Sequence, residues 1–459
     1  RSSASSQVAF HDSGAAALLL AFLACLLILF MPAPHAGSGM PWYATVAGVA
    51  LLAGVNGVAC WVGSRVATGL SARGDRMASM GAVRVFQVLN MGVIGLVLVD
   101  VYALGWLRFV DGLFAGRDWM LGADEVARLA PALLMLATAL AFRYGFERRR
   151  GHMNLTLPQY LLLRFRVEIG IILAPLLALV LVSDATYFLW SGSPHYGLIE
   201  GGATLGFVLA LVVFGPAMLR ALWRTSSLPP GALRDRLEGL SRANRFRCRD
   251  ILIWHTHGHL PNAGVIGFVP WTRYVMLTDA VLEHLSEDEI EAVFAHEVGH
   301  VRRHHFTFYL LFAFAFVCFY ANALDILATL GLMPPPQDIL GSELNTRHTL
   351  VMVAFAALYW WLAFGWMSRR HEQQADIFAL RAAERPESFI TALQRLAWLS
   401  GTPERAGSWR HFSIRRRTAF LTRAMDEPEL GERLDRSVRR MQLVLLGLFA
   451  AGALRLLAL

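Results

Sequence analysis

His296-Glu297-Val298-Gly299-His300 is an H-E-x-x-H pentad, and the residues before it, Ser286–Ala295, read as the opening turns of one helix. Ser286-Glu287-Asp288-Glu289 is a capping box: the Ser286 hydroxyl takes an orphan amide at the helix start, and Glu289 reaches back to the Ser286 amide. Ile290, Val293, Phe294, Val298 and Val301 supply apolar contacts around the helix. At about 100° per residue, Glu289, Val293, His296 and His300 fall on one side. The His pair therefore faces inward, one turn apart. Two such imidazoles can hold one Zn²⁺, and the Glu between them can take a proton from zinc-activated water. The plain alternative is a helix whose His and Glu merely face solvent. The cap and the inward-facing side count against it, because a charged Glu297 there would be costly without a task.

Composition sets the compartment. The 459 residues are 56% hydrophobic and 17% charged, with a mean hydropathy of +0.46, far from an ordinary soluble domain. Apolar runs suited to crossing a bilayer recur at Ala15–Met31, Tyr43–Gly63, Val85–Leu107, Leu129–Tyr144, Ile169–Trp190, Thr204–Trp223, Phe306–Met333, Leu350–Met367 and Met441–Leu459. Leu129–Tyr144 is short and holds Pro131, so it also fits a buried or interfacial helix. Before Ala15 the only base is Arg1, which favours a retained membrane helix over a cleaved leader. Asn56, Asn90, Asp100 and Asp325 lie in or near these runs, as helix–helix bonds or as lining of a wet interior.

The net charge is +8, and all 42 basic residues are Arg. They cluster at the ends of alternate apolar runs: Arg65 to Arg84, Arg143 to Arg166, and from Arg220 onward. The intervening loops, Pro32–Pro41, Asp111–Glu125 and Asp184–Glu200, are neutral or acidic. The positive-inside rule assigns the basic set, and with it His296, to the cytoplasm. A nucleic-acid surface would instead want Arg beside aromatics on a soluble face, so no nucleic-acid partner is expected. Arg433–Arg440 reads as a juxtamembrane anchor for lipid headgroups. The four cysteines show no CxxC spacing, hence neither a disulfide framework nor a cysteine–zinc site.

Between the sixth and seventh runs, Thr225–His305 reads as soluble. Its expected elements are a helix over Ala232–Asn244, extended pieces at Ile251–Trp254, Asn262–Phe268 and Tyr274–Leu277, and a short helix over Asp279–His284 before the zinc helix. A strand edge there can pair with an extended peptide. H-E-x-x-H supplies two ligands, and a catalytic zinc needs a third. His304 is a formal candidate with poor reach on a straight helix. Glu372, which follows the eighth run and returns to the same membrane side, is the better one. Asp376 shares its face and can hold a ligand His by its other ring nitrogen.

These motifs resemble the integral-membrane zinc metalloproteases that include the CaaX prenyl endopeptidases and the HtpX-like proteases. The resemblance covers about Leu228–Thr418: Leu228-Pro229-Pro230-Gly231, Asn262-Ala263, Arg273–Asp279, His296–His300 with His305, and Ser368–Asp376. It implies that His296, His300 and Glu372 bind one Zn²⁺ per chain, that Glu297 is the general base, and that Asp376 supports a ligand. It implies that His411, with Arg417, stabilises the oxyanion, although Phe412 stands where the family motif has proline. Asn262 would bind substrate backbone. The expected architecture is mainly α: a polytopic membrane protein of about nine spans with a cytoplasmic zincin-like metalloprotease domain carrying a small β-sheet. Residues 1–224 would form a membrane region, 225–440 a metallopeptidase domain including a two-span hairpin (306–367), and 441–459 a last span. The expected function is a membrane-embedded zinc metalloendopeptidase acting at the cytoplasmic face on peptide or protein substrates, lipidated ones included. The alternatives are a quality-control protease for misfolded membrane proteins, or a membrane sensor that uses the domain for signalling or ligand binding.

Overall fold

The computed structural model describes residues 21–22, 25, 40–72, 76–116, 122–149, 155–256, 261–332, 355–356, 358–400, 404–405, 407 and 410–458. The chain divides into two compact units, Arg1–Arg224 and Thr225–Leu459.

The first unit is helical: α1 (Trp42–Ser71), α2 (Arg76–Tyr102), α3 (Trp106–Phe114), α4 (Ala123–Arg149), α5 (Leu157–Trp190) and α6 (Tyr196–Leu222). Small residues let neighbouring helices approach closely. A Cβ built on Gly63 would stand 2.7 Å from Leu89, and one on Gly48 2.8 Å from Leu104. Asn56 works as helix glue, donating from Nδ2 to the Met135 carbonyl on α4 at 3.0 Å. Val97, Val101, Leu129, Met135 and Leu136 form the buried centre. Pro131 sits inside α4 without ending it, and α5 passes through a π-turn at Phe165–Ile169. The outer surface is apolar. Only 6% of the most apolar window of α6 is buried, and Leu198, Leu205, Leu209 and Phe214 are exposed. A helix that satisfies its own backbone and shows hydrocarbon all round suits lipid.

The second unit carries β1 (Thr225–Ser227), α7 (Ala232–Ala243), β2 (Asp250–Trp254), β3 (Ala263–Ile266), β4 (Tyr274–Thr278), α8 (Asp279–His284), α9 (Glu287–Arg302), α10 (His305–Thr329), α11 (Gly365–Ala382), α12 (Glu387–Leu399), α13 (Ile414–Asp426) and α14 (Glu429–Ala458). The sheet order is β1-β2-β4-β3, with β2 parallel to β4 and the other pairs antiparallel. β4 is buried along its length, whereas β3 is an edge. The expected strands and helices appear. β1 was not expected, because its three polar, mostly exposed residues carry no apolar alternation. Leu237, Leu277, Phe294, Val298, Ile377, Phe389 and Leu421 form the core in which α9 lies. Asn322 and Asp325 on α10 bind the Gly452 carbonyl (3.2 Å) and Arg455 (2.5 Å) of α14.

Among the described residues, seven helices are long and apolar enough to cross a membrane: five in the first unit, α10, and α14. Of the nine expected spans, the first (15–31) lies outside the described residues but for Ala21, Phe22 and Cys25. The eighth (350–367) begins outside them, and its remainder is a π-turn, Leu358–Phe364, running into α11. The connection between the seventh and eighth runs, residues 334–349, is likewise outside.

Candidate metal centre

The capping box forms as expected: Ser286 Oγ accepts from the Glu289 amide at 3.4 Å, and Glu289 Oε2 accepts from the Ser286 amide at 2.9 Å. This starts α9 with three acids in its first turn, where the helix dipole favours them. The buried Glu291 on α9 accepts from Arg236 of α7 and from the Glu384 amide, locking the helix from both sides. At its far end Gly299 faces Phe378 of α11, and a Cβ there would meet Phe378 Cβ at 3.0 Å. This close approach brings Glu372 over the His pair.

His296 Nε2 and His300 Nε2 are 3.2 Å apart. Glu372 Oε2 lies 3.7 Å from His296 Nε2, and Oε1 lies 3.5 Å from His300 Nε2. Ligands about 2.0–2.1 Å from a tetrahedral ion stand about 3.3 Å from one another, so the three donors fit one such cation. They form the one group of three or more His, Cys, Asp or Glu of metal-binding spacing among the described residues. All three residues are buried. His304 is not in the group: it is exposed, with a left-handed backbone (φ 58°), between α9 and α10.

The surroundings adjust the charges. Asp376 Oδ1 lies 3.1 Å from His296 Nδ1. Burial alone would lower His296, but Asp376 and then Glu372 outweigh it and raise it. Burial pulls His300 down to about 3, which leaves its imidazole neutral and free to act as a ligand. Burial pushes Glu372 up, yet the His411 hydrogen bond holds it well below the usual carboxylate range. Burial pushes Glu297 up to about 7, against the lowering pull of His296 and Arg417, where a proton-transfer group works well.

Residues 231–438, which contain every one of these groups, match the model of peptidase family M48. The chain carries a peptidase family M48 domain. A CAAX prenyl protease 1 homolog of Oryza sativa subsp. japonica is 26% identical over 263 residues, 55% of this chain and 60% of its own length. A protein of the same name from Arabidopsis thaliana is 25% identical over 256 residues, 54% of this chain and 58% of its own. A Protease HtpX homolog of Campylobacter hominis is 32% identical over 141 residues, 30% of this chain and 47% of its own. The similarity thus spans less than two thirds of these relatives' length. The crystal structure of S. mikatae Ste24p aligns over 83% of this chain and 98% of that one, at 17% identity and a TM-score of 0.41, too loose a likeness to argue from.

Within the M48 domain, Asp376 is fully buried and receives both arms of Arg417: Nε to Oδ2 at 3.0 Å and Nη2 to Oδ1 at 2.5 Å. Arg417 therefore meets a carboxylate behind His296. His411 Nδ1 lies 3.1 Å from Glu372 Oε2, with its side chain half exposed at the site's rim. Asn262 precedes β3, and its Oδ1 accepts from the Ala263 amide at 2.9 Å. The register pairs Gly264 with Met276 and Ile266 with Tyr274, and the Thr278 amide donates to the Asn262 carbonyl. By the antiparallel alternation, the backbone groups of Ala263 and Val265 point to the free edge. The Val265 amide faces Glu297, so this acid lies along that edge.

Sequence reasoning assigned no role to His305, Gln374, Asp435 or Phe389. Phe389 of α12 stacks on the His296 ring, centroids 5.3 Å apart. His305 reaches His300 only because the helix breaks at His304, so no fixed helical spacing reports the contact.

Proposed function

We propose that this chain is a zinc-dependent endopeptidase embedded in a membrane, cutting peptide bonds of membrane-associated or lipidated proteins at the cytoplasmic face. The observation that carries the reading is the set of three ligand atoms at tetrahedral spacing, with Glu297 beside the free edge of β3. When bound, zinc would polarise the scissile carbonyl and acidify a water. His296, His300 and Glu372 would hold it. Glu297 takes the proton and delivers it to the leaving amine. An extended substrate donates to the outward carbonyls of Ala263 and Val265, and Asn262 contacts its backbone where it enters. His411, at the rim, donates to the oxyanion as charge develops. Arg417 acts through Asp376 on the orientation of His296.

The lipidated class is supported by the printed names of the plant relatives. The cytoplasmic face is supported by charge: Arg149 on α4 reaches Ser64 on α1 at 2.9 Å, while at the other end of α4 the Gly122 amide meets Asp184 of α5 at 2.8 Å. Basic and acidic helix ends are thereby sorted to opposite sides, as the positive-inside rule requires.

Glu297→Gln is expected to retain stoichiometric zinc and lose peptide hydrolysis. In the unsubstituted protein a chelator abolishes cleavage and added Zn²⁺ restores it. Cleavage that survives either treatment rules out the mechanism. Matched peptides with and without a C-terminal prenyl group separate the substrate classes: preference for the prenylated peptide is expected, and equal rates would withdraw the lipid part while leaving the peptidase intact.

A further inference from the structure

His300 is held by a directional chain of side chains that ends on the last helix. Its Nδ1 lies 3.0 Å from His305 Nδ1. His305 Nε2 lies 2.9 Å from Gln374 Oε1 on α11. Gln374 Nε2 donates to Asp435 Oδ1 on α14 at 2.7 Å, and Asp435 Oδ2 accepts from Arg303 at 3.0 Å. His305 is fully buried and stacked on His371, centroids 4.2 Å apart and planes 8° from parallel, so its ring has little freedom to turn.

The proton positions along this chain follow from one end. An ionised Asp435 only accepts, so it takes the Gln374 amide nitrogen and leaves Gln374 Oε1 facing His305. That oxygen also only accepts, so His305 Nε2 carries the proton and Nδ1 is bare. A bare Nδ1 on His305 demands N–H at His300 Nδ1. His300 Nε2 is then bare, and it is the atom that faces His296 Nε2 and Glu372. We infer that His305, Gln374 and Asp435 form a tautomer-setting relay that points the lone pair of His300 at the metal. His305 and Gln374 are positioning residues, the counterpart for His300 of what Asp376 and Arg417 are for His296. Groups bonded to the free nitrogen of a metal-bound His fix its tautomer and orientation and typically govern 10- to 100-fold in metal affinity. The relay also ties one ligand of the site to α14, a helix long and apolar enough to cross a membrane.

The inference rests on His300 being a metal ligand, which zinc stoichiometry of the unsubstituted protein tests by itself. The experiment is zinc affinity by chelator competition, together with the visible spectrum of the Co²⁺-substituted full chain. His305→Phe keeps the stacked ring and removes the relay. It is expected to lose about ten- to a hundredfold in zinc affinity and to shift the Co²⁺ bands. Asp435→Leu, at the far end and away from the packed rings, is expected to lose about tenfold, and Asp435→Asn, whose carbonyl still accepts from Gln374, to stay within about twofold. Arg303→Met removes only the ion pair and should leave affinity unchanged. Should His305→Phe fail to fold, the Asp435 pair decides. Wild-type affinity in His305→Phe or Asp435→Leu overturns the relay, as does an Arg303→Met loss equal to that of Asp435→Leu.

Discussion

Asp376 has no exposed surface, yet it meets His296 on one side and Arg417 on the other. Burial pushes its carboxyl up, and the Arg417 charge outweighs that and holds it low. Removing one partner of such a pair leaves a buried charge uncompensated, at a cost of about 3–5 kcal/mol. Arg417→Met should therefore lower the thermal midpoint of the purified protein and weaken zinc binding. If melting and zinc affinity both stay at the unsubstituted values, Arg417 does not act through Asp376. Residue types with strong local signals were legible in the sequence: the pentad, Glu372 and Asp376. The partner of Arg417 was not. Nothing in a one-dimensional spacing of 41 residues says that a guanidinium will reach a carboxylate on another helix.

At the scale of elements, the site depends on how closely α9 and α11 pack. Gly299 is in contact range of Phe378, and a branched side chain there would push the helices apart. Gly299→Val is expected to lower zinc affinity by about tenfold or more, through displacement of Glu372 from the His pair, with helix content retained by circular dichroism. Unchanged zinc binding in a folded Gly299→Val protein would show that this approach does not position the third ligand. At the start of α9, Ser286→Ala should cost about 0.5–2 kcal/mol of unfolding stability. The cap was readable because all its parts lie within four residues. The break between α9 and α10 was not, since His304 takes a left-handed backbone that no turn residue announces. That break is what swings His305 back onto His300.

For the whole molecule, the testable claim is orientation. With the native cysteines replaced, Ser193→Cys, between α5 and α6, should be labelled by an impermeant maleimide added outside intact cells. Arg247→Cys, in the second unit, should be labelled only after the membrane is opened. Arg247 is exposed and Ser193 partly so, and the reverse pattern would put the metal centre on the outer side. The membrane class was legible from length and hydropathy alone. Of the nine apolar runs, seven correspond to long apolar helices among the described residues. Leu350–Met367 lies partly outside the described residues; its described part winds through a π-turn, Leu358–Phe364, directly into the helix that bears Glu372.

Local, periodic chemistry was therefore determined by the sequence itself: the capped helix, the His pair one turn apart, the strands of the small sheet and the apolar runs. Each is set by interactions within a few residues or by the bulk preference of side chains for lipid or water. Long-range partnership was decided only by the tertiary structure. Glu372 was expected beside the His pair, but its 3.7 Å approach, the closing of Arg417 on Asp376 and the link from His305 through Gln374 to Asp435 are contacts of the folded chain. These contacts join groups 41 to 76 residues apart in the chain. Their geometry depends on helix packing at a single glycine and on one left-handed residue, and neither leaves a periodic trace in the sequence.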